Sequence, residues 1–196
     1  MKKGAMFGLD ARIALAIFGA LSVISSAALY SAIQEAKVMA FYTDLLEIGK
    51  AWEQYNLDLA RDLTIVKSSG CSVNCFYKVK DLQENTSSLR WWKGPYLPYE
   101  LESDYTISYT KNGDNRVVLR RKRFEPWTST TDCVANTRCY LTIQLGGNID
   151  QNIVEALDKK IDGKVNKAEG FFRWSMNSGS AKWDDQISFL YLPVKN

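Results

Sequence analysis

Hydrophobic and polar positions fall into three regimes along the chain. The first is continuous: no residue between Arg12 and Glu35 carries a charge. Its run from Ile13 to Gln34, about 22 residues, makes a helix long enough for a hydrocarbon core of roughly 30 Å. The second is periodic. Val38, Phe41, Leu45, Ile48, Trp52, Tyr55 and Leu59 recur at alternating steps of three and four, an apolar stripe on one face of a helix. Glu47, Lys50, Glu53, Gln54, Asp58 and Arg61 fall off that stripe, with Lys50–Glu53 and Asp58–Arg61 at the spacing of helical ion pairs. A short coiled coil competes with packing on the chain's own head, but the bulky Phe41, Trp52 and Tyr55 favour the head. Gly19 and Gly49 are where the helix is expected to bend or loosen, since no proline precedes Pro95.

The third regime alternates. Tyr105 to Thr110 reads as a strand, Asn112 to Asn115 as a turn and Arg116 to Arg123 as the returning strand of a hairpin. Cys139 to Leu145, Gly170 to Met176 and Ile187 to Leu192 are further strand candidates, so an antiparallel sheet is expected. Between them a helix runs from an Asp150 cap to about Ile161, with Ile153, Val154, Leu157 and Ile161 on one face and Gly163 just past its end. From Gly70 to Glu100 the chain is polar and irregular, with a turn at Gly94-Pro95 and large rings at Trp91, Trp92 and Tyr96 that are expected to pack on the core edge. The expected class is α+β: a long N-terminal helix, transmembrane in its first half and amphipathic in its second, on a C-terminal antiparallel β-sheet head.

Charge orients this arrangement. Lys2, Lys3 and Arg12 precede the span, which places the N-terminus in the cytoplasm and the head outside it. A cleaved secretory peptide is the competing reading, but its apolar region is typically only about 7 to 15 residues. The formal charge of +3 is too mild to argue for a nucleic-acid or anionic-lipid partner. Histidine is absent, which removes the usual general base and the commonest metal ligand. No catalytic residue is assigned, and the chain is not read as an enzyme. Cys71, Cys75, Cys133 and Cys139 all fall outside the cytoplasm on this reading, where disulfides persist. Three pairings are open; the local ones, Cys71 to Cys75 and Cys133 to Cys139, are favoured over a four-thiolate zinc site, whose two-residue knuckles are missing.

The basic cluster Arg116, Arg120, Arg121, Lys122 and Arg123 reads as a charged strand guarding a sheet edge, with phosphate binding as the competitor. Asp158, Asp162, Asn166 and Glu169, or Asp184 with Asp185, are conceivable cation ligands. Helix capping and solvation account for them, and no metal or cofactor is assigned.

Three stretches resemble a known family. Lys2-Lys3-Gly4-Ala5 followed by Met6-Phe7-Gly8-Leu9-Asp10 and the apolar run resembles the leader and start of type IV pilins and type II secretion pseudopilins, with Ala5 where the family usually has Gly and Asp10 where it has Glu. Trp92-Lys93-Gly94-Pro95-Tyr96-Leu97 resembles a Gly-Pro-Tyr-Leu element of major pseudopilins. Leu157-Asp158-Lys159-Lys160-Ile161-Asp162-Gly163, with Gly170 and Arg173, is similar to a turn before a strand in many pilin-like proteins.

The resemblance implies a leader over 1–5, a transmembrane and polymerisation helix over 6–34, the amphipathic half of the stem over 35–66 and a periplasmic head over 67–196. It implies cleavage between Ala5 and Met6 by a prepilin peptidase, N-methylation of Met6, and neutralisation of its amine by Asp10 of a neighbouring subunit. The implied partners are further copies and other pilin-like subunits in a filament, the peptidase, an inner-membrane assembly platform and the lipid bilayer, with the chain anchored in a bacterial inner membrane. The competing function is an uncleaved, membrane-anchored extracytoplasmic binding domain, including a DNA-binding minor pilin.

Overall fold

The structure is a computed structural model that describes residues 6–66, 76–109, 115–124, 133, 136–176 and 185–194. Helix α1 (Met6–Leu59) is followed by strands β1 (Ile65–Val66), β2 (Phe76–Tyr77), β3 (Leu101–Ser103), β4 (Thr106–Tyr109), β5 (Asn115–Arg123) and β6 (Cys139–Gly147), helix α2 (Gln151–Asp162), and strands β7 (Phe172–Ser175) and β8 (Asp185–Val194). The expected α+β class holds. Contacts divide the chain into a unit over Met1–Ala40 and a unit over Phe41–Asn196.

Over 10–33 α1 carries its apolar side chains outward: Phe18, Leu15 and Val23 are each about 70% exposed. This stretch is long and apolar enough to span a membrane. Two of its hydroxyls are satisfied locally, Ser22 Oγ donating to the Phe18 carbonyl at 2.8 Å and Ser26 Oγ to that of Ser22 at 2.7 Å. Without water to bond to, a hydroxyl in hydrocarbon needs such a partner.

The second unit is organised by an antiparallel sheet in the order β1-β2-β5-β6-β8-β7, with the β3-β4 hairpin joined to β5 beside β2. Register places Val117, Leu145, Ile187 and Trp174 in one row across the sheet. The Phe41–Leu59 part of α1 packs on this face through ring contacts of Phe41 with Tyr109 (centroids 5.8 Å) and Tyr42 with Phe189 (6.3 Å). Here the predicted stripe forms the core: Phe41, Leu45, Ile48 and Tyr55 are buried, Trp52 nearly so. Helix α2 lies on the same face, with Ile153, Val154 and Leu157 buried. Asp150 caps it by accepting from the Asn152 amide, and Gly163 ends it in the left-handed region at φ 77°, as its sequence predicts.

Four expectations are corrected. First, α1 is assigned as helix without a break through Gly19 and Gly49; Gly49 instead makes room for the Tyr191 ring, whose Cζ lies 2.5 Å from where a Cβ would sit. Second, α1 stops at Leu59 rather than continuing to Val66. Ala60 turns left-handed at φ 50°, Asp62 caps the Leu63 amide, and Ile65–Val66 pairs with β2. Third, the helical ion pairs do not form among the described residues: Asp58 pairs instead with Lys93, and Glu53 accepts a hydrogen bond from the Tyr191 hydroxyl. Fourth, β5 is no edge. It pairs with β6 from Arg116 to Arg123, and on its other side with β4 at Asn115–Val117 and β2 at Arg120. Arg116 and Arg120 are accommodated because their stems pack while their heads find partners. Arg120 lies 4.8 Å over the Phe76 ring and donates to Gln144, Arg116 binds Glu102, and Lys122 is wholly buried.

Candidate functional site: an exposed helix and a tyrosine-fastened head

Of the residues singled out at the N-terminus, Ala5 lies outside the described residues and Met6 is the first residue of α1. Asp10 is exposed in the second turn and makes no ion pair or hydrogen bond within the described residues; the same holds for Arg12. The first unit therefore presents an apolar helix whose charges lie toward its ends, Asp10 and Arg12 at the start and Glu35 and Lys37 near the close.

In the second unit the polar side of α1 is fastened to the head by tyrosine hydroxyls. Tyr109 donates to Asp44 at 2.6 Å, Tyr99 donates to Asp44 at 3.1 Å and lies 3.2 Å from Glu47, Tyr191 donates to Glu53, and Tyr96 donates to Asp58 at 3.1 Å. Past the end of the helix, Asp62 accepts from Trp52 Nε1 at 2.8 Å and Tyr77 at 2.7 Å. Burial raises the pKa of Tyr77, Tyr99 and Tyr191 above the ordinary phenol value, and the adjoining carboxylates raise them further. A phenol facing a carboxylate stays a donor, because a second negative charge in that position is repelled and poorly solvated. Asp44, at 5% exposure, is nearly as buried as the apolar stripe; nothing in the helical period distinguishes it from a solvated acid.

The Gly-Pro-Tyr-Leu element is one wall of this fastening. Trp92 donates from Nε1 to the Asp81 carbonyl at 2.9 Å and meets Tyr96 edge-on at 5.6 Å. The Tyr96 hydroxyl accepts from the Lys93 amide at 2.9 Å, and Leu97 is buried. A side chain at Gly94 would collide with the Trp92 ring. Between this loop and α1 lies a groove of about 580 Å³ lined by Lys50, Gln54, Asp58, Tyr96 and Pro98 among others. Aromatic packing on the core edge was legible; the bond of Tyr96 to Asp58 was not.

Around the α2 exit the acids brace backbone. Asp162 accepts from the Phe171 and Phe172 amides at 2.9 and 2.8 Å, and Asp158 from the Asn166 amide and Trp174 Nε1, each at 2.9 Å. Glu169, exposed, pairs with Lys164 at 2.9 Å, which lowers its pKa. Among the described residues no group of three metal-ligating side chains converges; Asp184 lies outside them. Arg173, wholly buried, ties this loop to β5's end by donating to the carbonyls of Gly170 and Phe124, each at 2.8 Å.

Cys133 and Cys139 form a disulfide, with Cα atoms 5.8 Å apart. Cys71 and Cys75 lie outside the described residues.

What these features define is an antiparallel-sheet head and a helix fit to cross a membrane. Comparison with known proteins adds no name to that class: no family model, no curated protein and no solved structure matches the chain. A long N-terminal helix followed by an antiparallel sheet is compatible with a pilin-like fold.

Proposed function

We propose that this chain is a structural subunit of a type II secretion pseudopilus or a type IV pilus-like filament, inserted with its N-terminus in the cytoplasm, trimmed after Ala5 by a prepilin peptidase and assembled through its N-terminal helix. The observation that carries this reading is α1: one unbroken helix, bare and apolar over its first part and built into a sheet over its last. A bare apolar helix of this length requires lipid or other helices around it, and a subunit that passes from a membrane into a filament meets both in turn. The head then presents a surface, and its tyrosine bonds hold residues 44–58 of the helix to the sheet and the loop of Tyr96. Gly94-Pro95-Tyr96-Leu97 favours secretion over the other machines. The partners are further copies, other pilin-like subunits and an inner-membrane assembly platform.

Mass and N-terminal sequence of the protein isolated from membranes of its native host test this. A chain starting at Met6 with a methylated amine is the expected result; one still starting at Met1 refutes it. The second reading, an uncleaved anchored binding domain, draws on the groove beside Tyr96 and is the one that survives the latter result.

A further inference from the structure

The groove between α1 and the Gly94-Pro95-Tyr96-Leu97 loop has two unlike walls. The loop wall is apolar, made of the exposed rings of Pro95 and Pro98 and the half-buried ring of Tyr96. Proline has no amide hydrogen, so at both positions the loop lacks a backbone donor, and the carbonyls of Leu97 and Tyr99 already accept from Gln83. The helix wall is polar: Glu47, Lys50, Gln54 and Asp58 recur every three or four residues around the small, buried Ala51 and so share one face. Asp58 is engaged, by Lys93 at 3.0 Å and Tyr96 at 3.1 Å. The other three are open. Lys50 and Gln54 are exposed and make no hydrogen bond or ion pair among the described residues, and Glu47 is engaged through Oε2 alone, by Tyr99.

Charge and shape narrow what fits. Two acids, Glu47 and Asp58, face two amines, Lys50 and Lys93, so an anion meets carboxylates, a cation meets ammonium groups, and a neutral ligand is favoured. A hydroxyl both donates and accepts, so neighbouring hydroxyls of one ring satisfy Glu47 as an acceptor and Lys50 as a donor, or both ends of the Gln54 amide. A hexose ring also carries an apolar C–H face, which suits the prolines and Tyr96. Glu47 to Gln54 spans about 10.5 Å of helix, the length of about two such rings, and the volume of about 580 Å³ is that of a small-ligand site. The apolar wall is set in advance: Trp92 and Tyr55 hold Tyr96 edge-on at 5.6 and 5.9 Å, so little order is lost on binding. We propose that this groove binds a neutral oligosaccharide of about two hexose units, with its C–H faces on Pro95, Tyr96 and Pro98 and its hydroxyls on Glu47, Lys50 and Gln54. The site depends on neither cleavage nor polymerisation: a head displayed on a filament and a head anchored singly offer the same groove.

The test uses the full chain from membranes of its native host, in phospholipid nanodiscs, which avoids glycoside detergents whose sugar heads would compete. The nanodiscs are overlaid on immobilised neutral disaccharides and trisaccharides, on sulfated and uronic-acid sugars, and on uncharged and acidic peptides. Capture by neutral sugars is expected, and isothermal titration with a capturing disaccharide gives the affinity. Lys50→Ala is expected to weaken it about tenfold and Gln54→Ala about fivefold, each with the melting temperature unchanged, since neither side chain has a partner to lose. Lys167→Ala, exposed between α2 and β7, is expected to leave binding as it is. Capture by none of the neutral sugars, or by charged sugars or peptides alone, overturns the proposal, and so does an affinity that Lys50→Ala and Gln54→Ala both leave unchanged. The N-terminal sequence of the same preparation reports processing separately, so failure of the sugar site leaves the filament reading standing.

Discussion

Replacing Gly49 by alanine sets two effects of opposite sign against each other. In a helix interior alanine is favoured over glycine by about 1 kcal/mol. Against this, the new Cβ would lie 2.5 Å from Cζ and 2.6 Å from both Cε atoms of Tyr191. The ring must swing away, and with it goes the bond of its hydroxyl to Glu53, a hydrogen bond to a charged acceptor worth about 1.5–3 kcal/mol. The loss exceeds the gain, so Gly49→Ala is expected to destabilise the protein by about 0.5–2 kcal/mol. For a unit of this size that is a fall in melting temperature of about 1–8 °C. In a Tyr191→Ala background the obstacle is gone and the same substitution is expected to raise the melting temperature by about 2–4 °C. Thermal unfolding of the four proteins in one detergent, followed by circular dichroism, measures the cycle. Equal shifts in both backgrounds would refute the idea that the glycine is there for the ring.

Removing the carboxylate in Asp162→Ala strands the amides of Phe171 and Phe172 and is expected to cost about 2 kcal/mol in urea unfolding; a midpoint unchanged from wild type contradicts the bracing role. Tyr77, Tyr99 and Tyr191 have pKa values raised in the folded protein, by burial first and by Asp62, Asp44 and Glu53 next. Unfolded tyrosine ionises near pH 10, so their contribution to stability is whole below about pH 10 and is lost as pH climbs toward their folded values. Phenolate absorbance at about pH 11 is expected to show fewer ionised tyrosines in the folded than in the urea-unfolded chain; equal absorbance in a chain still folded by circular dichroism refutes this.

What periodicity measures decides what was legible. It found the buried stripe from Phe41 to Tyr55, the α2 boundaries with their Asp150 and Gly163 caps, and the strands that became β4 to β8, because each repeats a burial pattern in its own sequence. It missed Asp44, whose burial depends on Tyr109 and Tyr99 more than fifty residues away. It placed the arginine cluster on an edge because the β2 and β4 pairings that enclose β5 are not written within β5 itself. The short strands β1, β2 and β3 escaped notice because two or three residues show no alternation. Of the candidate site, the bare apolar helix was visible from composition alone. The fastening of its lower half was not, since each bond joins residues distant in sequence.

The geometry of that fastening bears on load. Asp44, Glu53 and Asp58 are spread over about 21 Å of helix, and each is held by a hydroxyl from the head. A pull along the helix axis strains all of these attachments at once, in shear, so each carries a fraction of the tension. A pull at right angles peels them one after another. The joint is stiff in the direction in which a strut is pushed or drawn and weak in the direction in which it would be pried loose.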